Sequence, residues 1–133
     1  MKLTRTEARE KIMIILYQID FYKRQKLDYN VDDVIKENLD IDNEFVKNIV
    51  YGVIEHETEL VDLIESHLKN WSFKRLGFTD QAILKLSTYE LIHTDTPKVV
   101  SINEGIELAK KYSDEKIVPM INAVLDSILN EEK

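Results

Sequence analysis

Four basic side chains stand within the first eleven residues of this chain, in the stretch MKLTRTEAREK. At about 100° of rotation per helical residue, Lys2, Arg5 and Arg9 fall within about 60° of one another, whereas Lys11 falls on the opposite side. Bases at a helix N-terminus oppose the macrodipole, so they do not serve helix stability. Arginine side chains and free N–H groups at a helix start both bind phosphate oxygens. The stripe is either a solvated helix start, which composition alone favours, or an exposed anion-binding edge.

Two short patterns contain residue types that bind metal ions. HETEL, residues 56–60, begins like the zinc-protease motif, but Leu60 stands where that motif needs its second histidine. Glu90 and His93 form one E-x-x-H pair, and di-iron bundles need two such pairs with two further glutamates. The chain has no cysteine and no glycine-rich phosphate loop. We therefore expect no metal site, no cofactor and no catalytic residue, and we interpret Glu90 as a surface carboxylate or a buried hydrogen-bonding one.

Trp71 and Phe73 stand close to three bases, Lys69, Lys74 and Arg75, a combination that could stack on RNA bases and neutralise phosphates. A tryptophan between two helices more often fills the seam between them. We expect Trp71 in the core, and an exposed tryptophan that stacks on RNA is the alternative.

The overall composition describes one acidic domain. The 133 residues include 25 acidic and 18 basic side chains, with a formal net charge of -7, and the hydrophobic fraction of 44% is enough for a packed core. Three glycines and two prolines are too few for a loop-rich or all-β chain. No apolar run predicts a membrane span, and no signal-peptide pattern opens the chain, so we expect a cytoplasmic protein. An acidic surface argues against nonspecific nucleic-acid binding by the whole molecule but allows a local basic patch.

Helical periodicity continues through almost the whole chain and predicts about seven helices and no strand. Thr4 and Glu7 fit a capping box, so the first helix should extend from about residue 4 to residue 23. Its apolar residues form two roughly opposite faces: a core face of Ala8, Ile12, Ile15, Leu16 and Ile19, and a second face of Met13, Ile14, Tyr17 and Phe21. A helix that is apolar all round is usually buried between two layers, and a partner that covers Tyr17 is the alternative.

Three later helix starts are also predicted, two from capping patterns and one from a proline. Thr79 can cap one helix, and Ser101 with Glu104 fits a second capping box. Pro119 should lie in the first turn of the last helix, where its missing N–H costs nothing.

Three longer stretches, taken together, resemble one protein family. RTEAREKIMIILYQID contains R-x-x-A-R-E before Leu-Tyr, WSFKRLGFTDQAILKLSTYEL contains Asp-x-Ala-Ile-Leu before Tyr-Glu-Leu, and PKVVSINEGIELAKKYSDEKIVPMINAVLD contains Glu-Leu-Ala-Lys before Asn-x-Val-Leu-Asp. Their order and spacing resemble the NusB family of bacterial transcription antitermination factors over essentially the full length. The resemblance implies one all-α domain of two packed small helical bundles, an N-terminal subdomain of about residues 1–70 and a C-terminal subdomain of about residues 71–133.

The resemblance also implies partners and a function without catalysis. NusB proteins form a heterodimer with the ribosomal protein NusE and bind the boxA RNA element in the leaders of ribosomal RNA operons. With other Nus factors they act on RNA polymerase to suppress premature termination. Together with the basic stripe, the resemblance assigns RNA-binding roles to Lys2, Arg5, Arg9, Met120 and Asn122, and partner-binding roles to Tyr17, Asp80 and Met120.

Departures from the family pattern keep other functions open. Thr6 and Glu7 separate two arginines where many members have a denser arginine cluster, and Met120 stands where the last helix often begins with an aromatic residue. The acidic block at 28–44 cannot face RNA and is expected to be solvated, with partner docking as the alternative. The rival functions are a protein-interaction module with weak or lost RNA binding and a helical carboxylate metalloenzyme. The sequence leaves open whether the free protein is a monomer or a homodimer.

Overall fold

The computed structural model describes residues 2–131, which form seven α-helices and one short 3₁₀ turn. No strand occurs in this range, so the all-α prediction is confirmed. None of the described helices is both long enough and apolar enough to cross a membrane. The helices are α1 (Arg5–Arg24), α2 (Val31–Asn38), α3 (Glu44–Glu55), α4 (Glu57–Ser66), α5 (Phe78–His93), α6 (Lys98–Tyr112) and α7 (Val118–Glu131), and the 3₁₀ turn is Phe73–Arg75.

The start of α1 has the predicted capping box. The backbone N–H of Glu7 donates to the hydroxyl oxygen of Thr4 at 3.1 Å, and the backbone N–H of Thr4 donates to Oε1 of Glu7 at 2.9 Å. The bond from the Thr4 backbone, with a smaller contribution from its side chain, lowers the pKa of the Glu7 carboxyl. Two donors that the helix itself cannot satisfy are thereby paired, and the direction of α1 is set just before its basic residues.

Two other predicted caps are wrong. Gly77 is the N-cap of α5, and Thr79 lies inside its first turn. Pro97 immediately precedes α6 and accepts the backbone N–H of Ser101 at 3.1 Å, so Ser101 is committed to the helix and its side chain is buried. The proline sets a backbone angle compatible with helix entry without a side-chain cap. Pro119 lies in the first turn of α7, as predicted.

The central element is α5, which contacts α1, α3, α4, α6 and α7. Every residue from position 80 to position 88 of α5 is buried, because neighbouring helices surround it. The buried apolar side chains form one continuous cluster that draws on both halves of the chain, including Ile12, Ile64, Ile83 and Ile121. A division into two subdomains near residue 70 stays a prediction.

The two apolar faces of α1 have different surroundings. The predicted core face is confirmed, since Ala8, Ile12, Ile15, Leu16 and Ile19 are all buried. On the second face Met13 is buried, but Tyr17 and Phe21 are 39% and 45% exposed. The expectation that α1 is covered on both faces is therefore wrong for its second half, which leaves aromatic surface available to a partner.

Candidate functional site

A groove at the start of α1 gathers three of the four N-terminal bases. Lys2, Leu3, Arg5 and Lys11 line one part of it, and residues 37–45, from the end of α2 to the start of α3, line the rest. The exposed guanidinium of Arg5 lies 4.1 Å from the centroid of the Phe45 ring. A guanidinium stacked on an aromatic face keeps its edge N–H groups free for phosphate or base atoms. Arg5 is therefore both positioned and accessible, as an anion-binding side chain must be.

Arg9 lies one turn further along α1 and is only 4% exposed. Its guanidinium donates to both oxygens of the Glu90 carboxylate at 2.6 and 2.8 Å and to Oε1 of Glu104 at 3.2 Å. The hydroxyl of Thr6 donates to the same Glu104 oxygen at 2.6 Å. The expectation that Arg9 is exposed is wrong, because α5 and α6 cover this turn and supply carboxylates, and its RNA-binding role stays a prediction without support from its position. Of the two roles that the sequence allowed for Glu90, a surface carboxylate or a buried hydrogen-bonding one, the structure has the second.

The charge state of Arg9 follows from two opposing effects. Burial lowers its pKa, but the hydrogen bonds and negative charges of Glu90 and Glu104 outweigh burial, so the pKa is raised. Arg9 stays charged, and three of its N–H donors bind carboxylates within the protein.

Lys11 does not point away from Arg5 in the folded protein. It lines the same groove, since residues 37–45 wrap around the start of α1. The acidic block at 28–44 is exposed as expected, but part of it forms the wall opposite the bases. The acidic residues of that wall are Glu37, Asp40, Asp42 and Glu44. Bases and acids therefore face one groove, and the acids lower its affinity for anions.

The predicted residues on α7 stand apart from this groove. Met120 is half-buried against the core, and Asn122 is exposed. Neither of them lines the groove that contains Lys2 and Arg5. Since α7 packs on α4, α5 and α6, the predicted RNA-binding residues fall into two groups on different elements.

Asp80 is only 8% exposed, so little of its side chain is accessible, and its partner-binding role stays a prediction. The hydroxyl of Ser113, just after α6, donates to Oδ1 of Asp80. The other carboxylate oxygen faces Gly77, where an added Cβ would lie 2.9 Å from it. Asp80 lies in the first turn of α5, where the helix dipole stabilises a negative charge. It ties the start of α5 to the end of α6.

Trp71 is 48% exposed, whereas Phe73 is only 6% exposed, so the expectation that Trp71 fills the core is wrong. Phe73 begins the 3₁₀ turn and occupies the buried position instead. Asn70, at a left-handed φ of 67°, turns the chain just before Trp71. Trp71 lines a shallow surface groove with Lys74 and Arg75. The alternative of an accessible tryptophan beside bases fits this arrangement.

Two patterns that were separate in the sequence meet at the junction of α3, α4 and the end of α5. His56 and Glu59 of HETEL lie beside His93 of the E-x-x-H pair, and donor atoms of all three lie within 4.8 Å of one another. No local sequence signal brings these patterns together, because His93 follows Glu59 by more than thirty residues.

The structure defines a small all-α protein with a groove at its N-terminal edge, and basic and acidic side chains both line this groove. Comparison with known proteins makes the class specific. Residues 6–130 match the model of the NusB family. The transcription antitermination protein NusB of Bacillus velezensis is 41% identical over 129 residues, which cover 95% of each chain. This chain belongs to the NusB family.

Solved structures have the same fold. The T. maritima NusB structure superposes with a TM-score of 0.87 at 33% identity and covers 98% of this chain and 94% of that one. A chain from the crystal structure of antitermination factors NusB and NusE in complex with dsRNA gives a TM-score of 0.82 at 29% identity, with 96% of each chain covered. The recognition from sequence and the expected NusB-like fold are confirmed.

Proposed function

We propose that this chain is a transcription antitermination factor. It binds boxA RNA of ribosomal RNA operon leaders together with ribosomal protein NusE, and it acts with other Nus factors on RNA polymerase to suppress premature termination. Family membership supports this function, as does the likeness to a chain from a complex of NusB and NusE with RNA. In this proposal the protein acts in the cytoplasm, by binding rather than by catalysis.

The observation that carries the RNA side of the proposal is the placement of Arg5. Its guanidinium stacks on Phe45 in a groove shared with Lys2 and Lys11. Single-stranded RNA is bound by backbone neutralisation and by stacking, and the planar guanidinium of Arg5, held on the Phe45 ring, can serve both as a cation and as a stacking surface. Three bases facing an acidic wall provide few phosphate contacts, so the chain alone should bind RNA weakly. A basic ribosomal protein would supply the remaining contacts.

The partner side of the proposal rests on Tyr17 and Phe21. They stand one turn apart on α1 and leave aromatic surface exposed where the core does not need it. Exposed aromatic residues are typical centres of protein interfaces. We assign Tyr17 to the NusE contact, and we assign Met120 and Asn122 at the start of α7 to the same complex. Tyr17→Ala should weaken NusE binding by more than about 1 kcal/mol in calorimetry, without loss of helicity.

The test is a titration of labelled boxA RNA with this chain, with NusE, and with both. We expect weak binding by either protein alone, tighter binding by the pair, and weaker binding of a scrambled RNA by the pair. Arg5→Ala should weaken boxA binding by the pair. Lys110→Ala, which removes an exposed base on α6, is the matched control and should leave it unchanged. Equal binding of boxA and scrambled RNA by the pair, or equal effects of the two substitutions, would contradict the proposal.

A second candidate is a protein-interaction module that has lost RNA binding. Two observations favour it: Arg9 is engaged by carboxylates, and acids face the remaining bases. Its signature in the same titration would be NusE binding with no gain in boxA affinity over NusE alone.

A further inference from the structure

His56, Glu59 and His93 come from three different helix ends. His56 separates α3 from α4, Glu59 lies in the first turn of α4, and His93 is the last residue of α5. The two imidazole centroids are 4.2 Å apart, with their planes tilted by 38°. Nε2 of His93 lies 2.6 Å from Oε1 of Glu59. One donor atom from each of the three side chains thus lies in a space of a few ångströms.

The orientation of His56 leaves one nitrogen for a ligand. Its Nδ1 lies 2.9 Å from the backbone carbonyl oxygen of Gly52, which can only accept a hydrogen bond. A hydrogen bond between these two atoms requires a proton on Nδ1, and in that tautomer the lone pair of Nε2 is left for a ligand. Histidines that bind metals are commonly held in this way, with the second nitrogen donating to a backbone carbonyl.

The packing around the cluster holds this orientation. The Tyr89 ring lies 5.9 Å from the His56 ring and 5.2 Å from the His93 ring, between centroids. Tyr89 packs directly on Gly52, where an added Cβ would overlap its ring. The carbonyl that orients His56 and the aromatic wall beside both imidazoles are therefore parts of one packed unit.

The electrostatic surroundings are mixed but favour a cation. α3 and α5 both end at the cluster, and the C-terminal ends of helices attract positive charge. α4 begins there with the opposite polarity, and Glu59 in its first turn supplies a full negative charge. The nearby carboxylate of Glu57 is already paired with Lys85 and Lys23 at 2.9 and 3.0 Å, so these two lysines do not compete for Glu59.

We propose that His56, Glu59 and His93 bind Zn²⁺, or another divalent first-row metal that prefers imidazole and carboxylate, with water completing the coordination. Two imidazoles and one carboxylate are a common ligand set for such ions. The second histidine that HETEL lacks is supplied by α5. Glu59 is half-exposed and His93 is partly exposed, so both can exchange their mutual hydrogen bond for metal ligation at about 2.0–2.2 Å.

The bound metal would connect the α3–α4 junction with the end of α5. These elements belong to the first and second halves of the chain, so the ion would stabilise their packing. The ion would have a structural role, and the groove of Lys2 and Arg5 would be unchanged.

The test uses the full chain, freed of metal with a chelator and titrated calorimetrically with ZnCl₂. We expect saturable binding of one Zn²⁺ per chain and a rise in Tm, because a ligand that binds only the folded state stabilises it. His56→Ala and His93→Ala should each weaken binding by more than about tenfold and remove the rise in Tm. Glu59→Gln should weaken binding without altering the surrounding packing.

The matched control is His67→Ala, which removes the third histidine of the chain. His67 contacts Ser127 and Glu131 instead of this cluster. It should bind Zn²⁺ like the parent. Circular dichroism of the metal-free variants separates loss of ligation from loss of folding, and His93→Asn replaces His93→Ala if the latter unfolds. Absence of saturable binding, or equal binding by the parent and the His56 and His93 variants, would overturn the proposal.

Discussion

Arg5 and Arg9 stand one helical turn apart on α1 and lie in opposite surroundings. Arg5 is exposed at a groove and stacked on Phe45, and within residues 2–131 no carboxylate forms an ion pair with its guanidinium. Arg9 is buried, and its guanidinium makes three hydrogen bonds to Glu90 and Glu104. The two side chains differ by only about 40° around the helix.

The difference shows that the angle around a helix does not decide what a charged residue does. Taking a charge out of water costs several kcal/mol unless a partner offsets the cost, so Arg9 must be paired and serves the fold. Arg5 keeps its hydration and its free donors, so it can serve a ligand. The neighbouring helices make the distinction, because α5 and α6 supply the carboxylates of Glu90 and Glu104 that pair with Arg9, whereas the side chain of Arg5 stays exposed.

The largest effect on stability should come from removing the partner of Arg9. Glu90→Ala leaves a buried guanidinium with only Glu104, and we expect a loss of about 3–5 kcal/mol of unfolding free energy in urea denaturation. Glu107→Ala removes a carboxylate from an exposed pair on α6 and should have little effect. If the two variants unfold at the same urea concentration, the buried pair of Arg9 and Glu90 contributes no more to stability than the exposed pair of Glu107, and the proposed difference is wrong.

Asp80 is a second buried charge, and its side chain is tied to the residue that follows α6. Asp80→Lys removes the acceptor of the Ser113 hydroxyl and puts a cation into the first turn of α5. We expect thermal or urea unfolding to show a loss of at least about 1–3 kcal/mol. Asp80→Asn keeps an acceptor and should lose less. A fully stable Asp80→Lys variant with weakened NusE binding would instead make Asp80 a contact residue, as the family resemblance implies.

Trp71 and Phe73, which precede α5, give a second comparison of an exposed and a buried side chain, here between two aromatic residues. Phe73→Ala should cost about 3–5 kcal/mol because it opens a cavity in the core. Trp71→Ala should cost only about 1 kcal/mol, since nearly half of the side chain is already in water. Urea denaturation distinguishes the two. An equal loss for both would restore the core role of Trp71, and a loss of RNA binding by Trp71→Ala alone would support stacking.

The smallest effect on stability should come from the groove, where the effect on RNA is largest. Arg5→Ala and Lys11→Ala should leave the unfolding free energy almost unchanged, because neither side chain is buried. Each should reduce the log–log salt dependence of boxA binding by the NusE complex by about 0.7, if each loses one phosphate contact. Arg9→Ala should act through stability instead. An unchanged salt slope for Lys11→Ala would confine the RNA contact to the Arg5 edge of the groove.

Local features of the fold were predictable from the sequence alone. Three such features are the capping box of Thr4 and Glu7, the core face of α1 and the place of Pro119. Each depends on residues within about one or two turns of each other, where helix geometry alone decides which side chains are neighbours. Ser101 and Glu104 have the same spacing as Thr4 and Glu7 and do not form a cap. Because Pro97 precedes α6, the helix begins before Ser101, and the carboxylate of Glu104 accepts a hydrogen bond from Arg9 instead.

What the sequence by itself determined is an all-helical NusB family chain with bases at its front, because periodicity, caps and motif order are short-range properties. The tertiary structure decided which bases stay free, which aromatic ring is buried and which polar side chains meet. Arg9 lies 81 positions from Glu90, and His56 and His93 meet at the ends of different helices. Such pairings depend on how whole helices pack, and the cost of burying a charge then selects the partner.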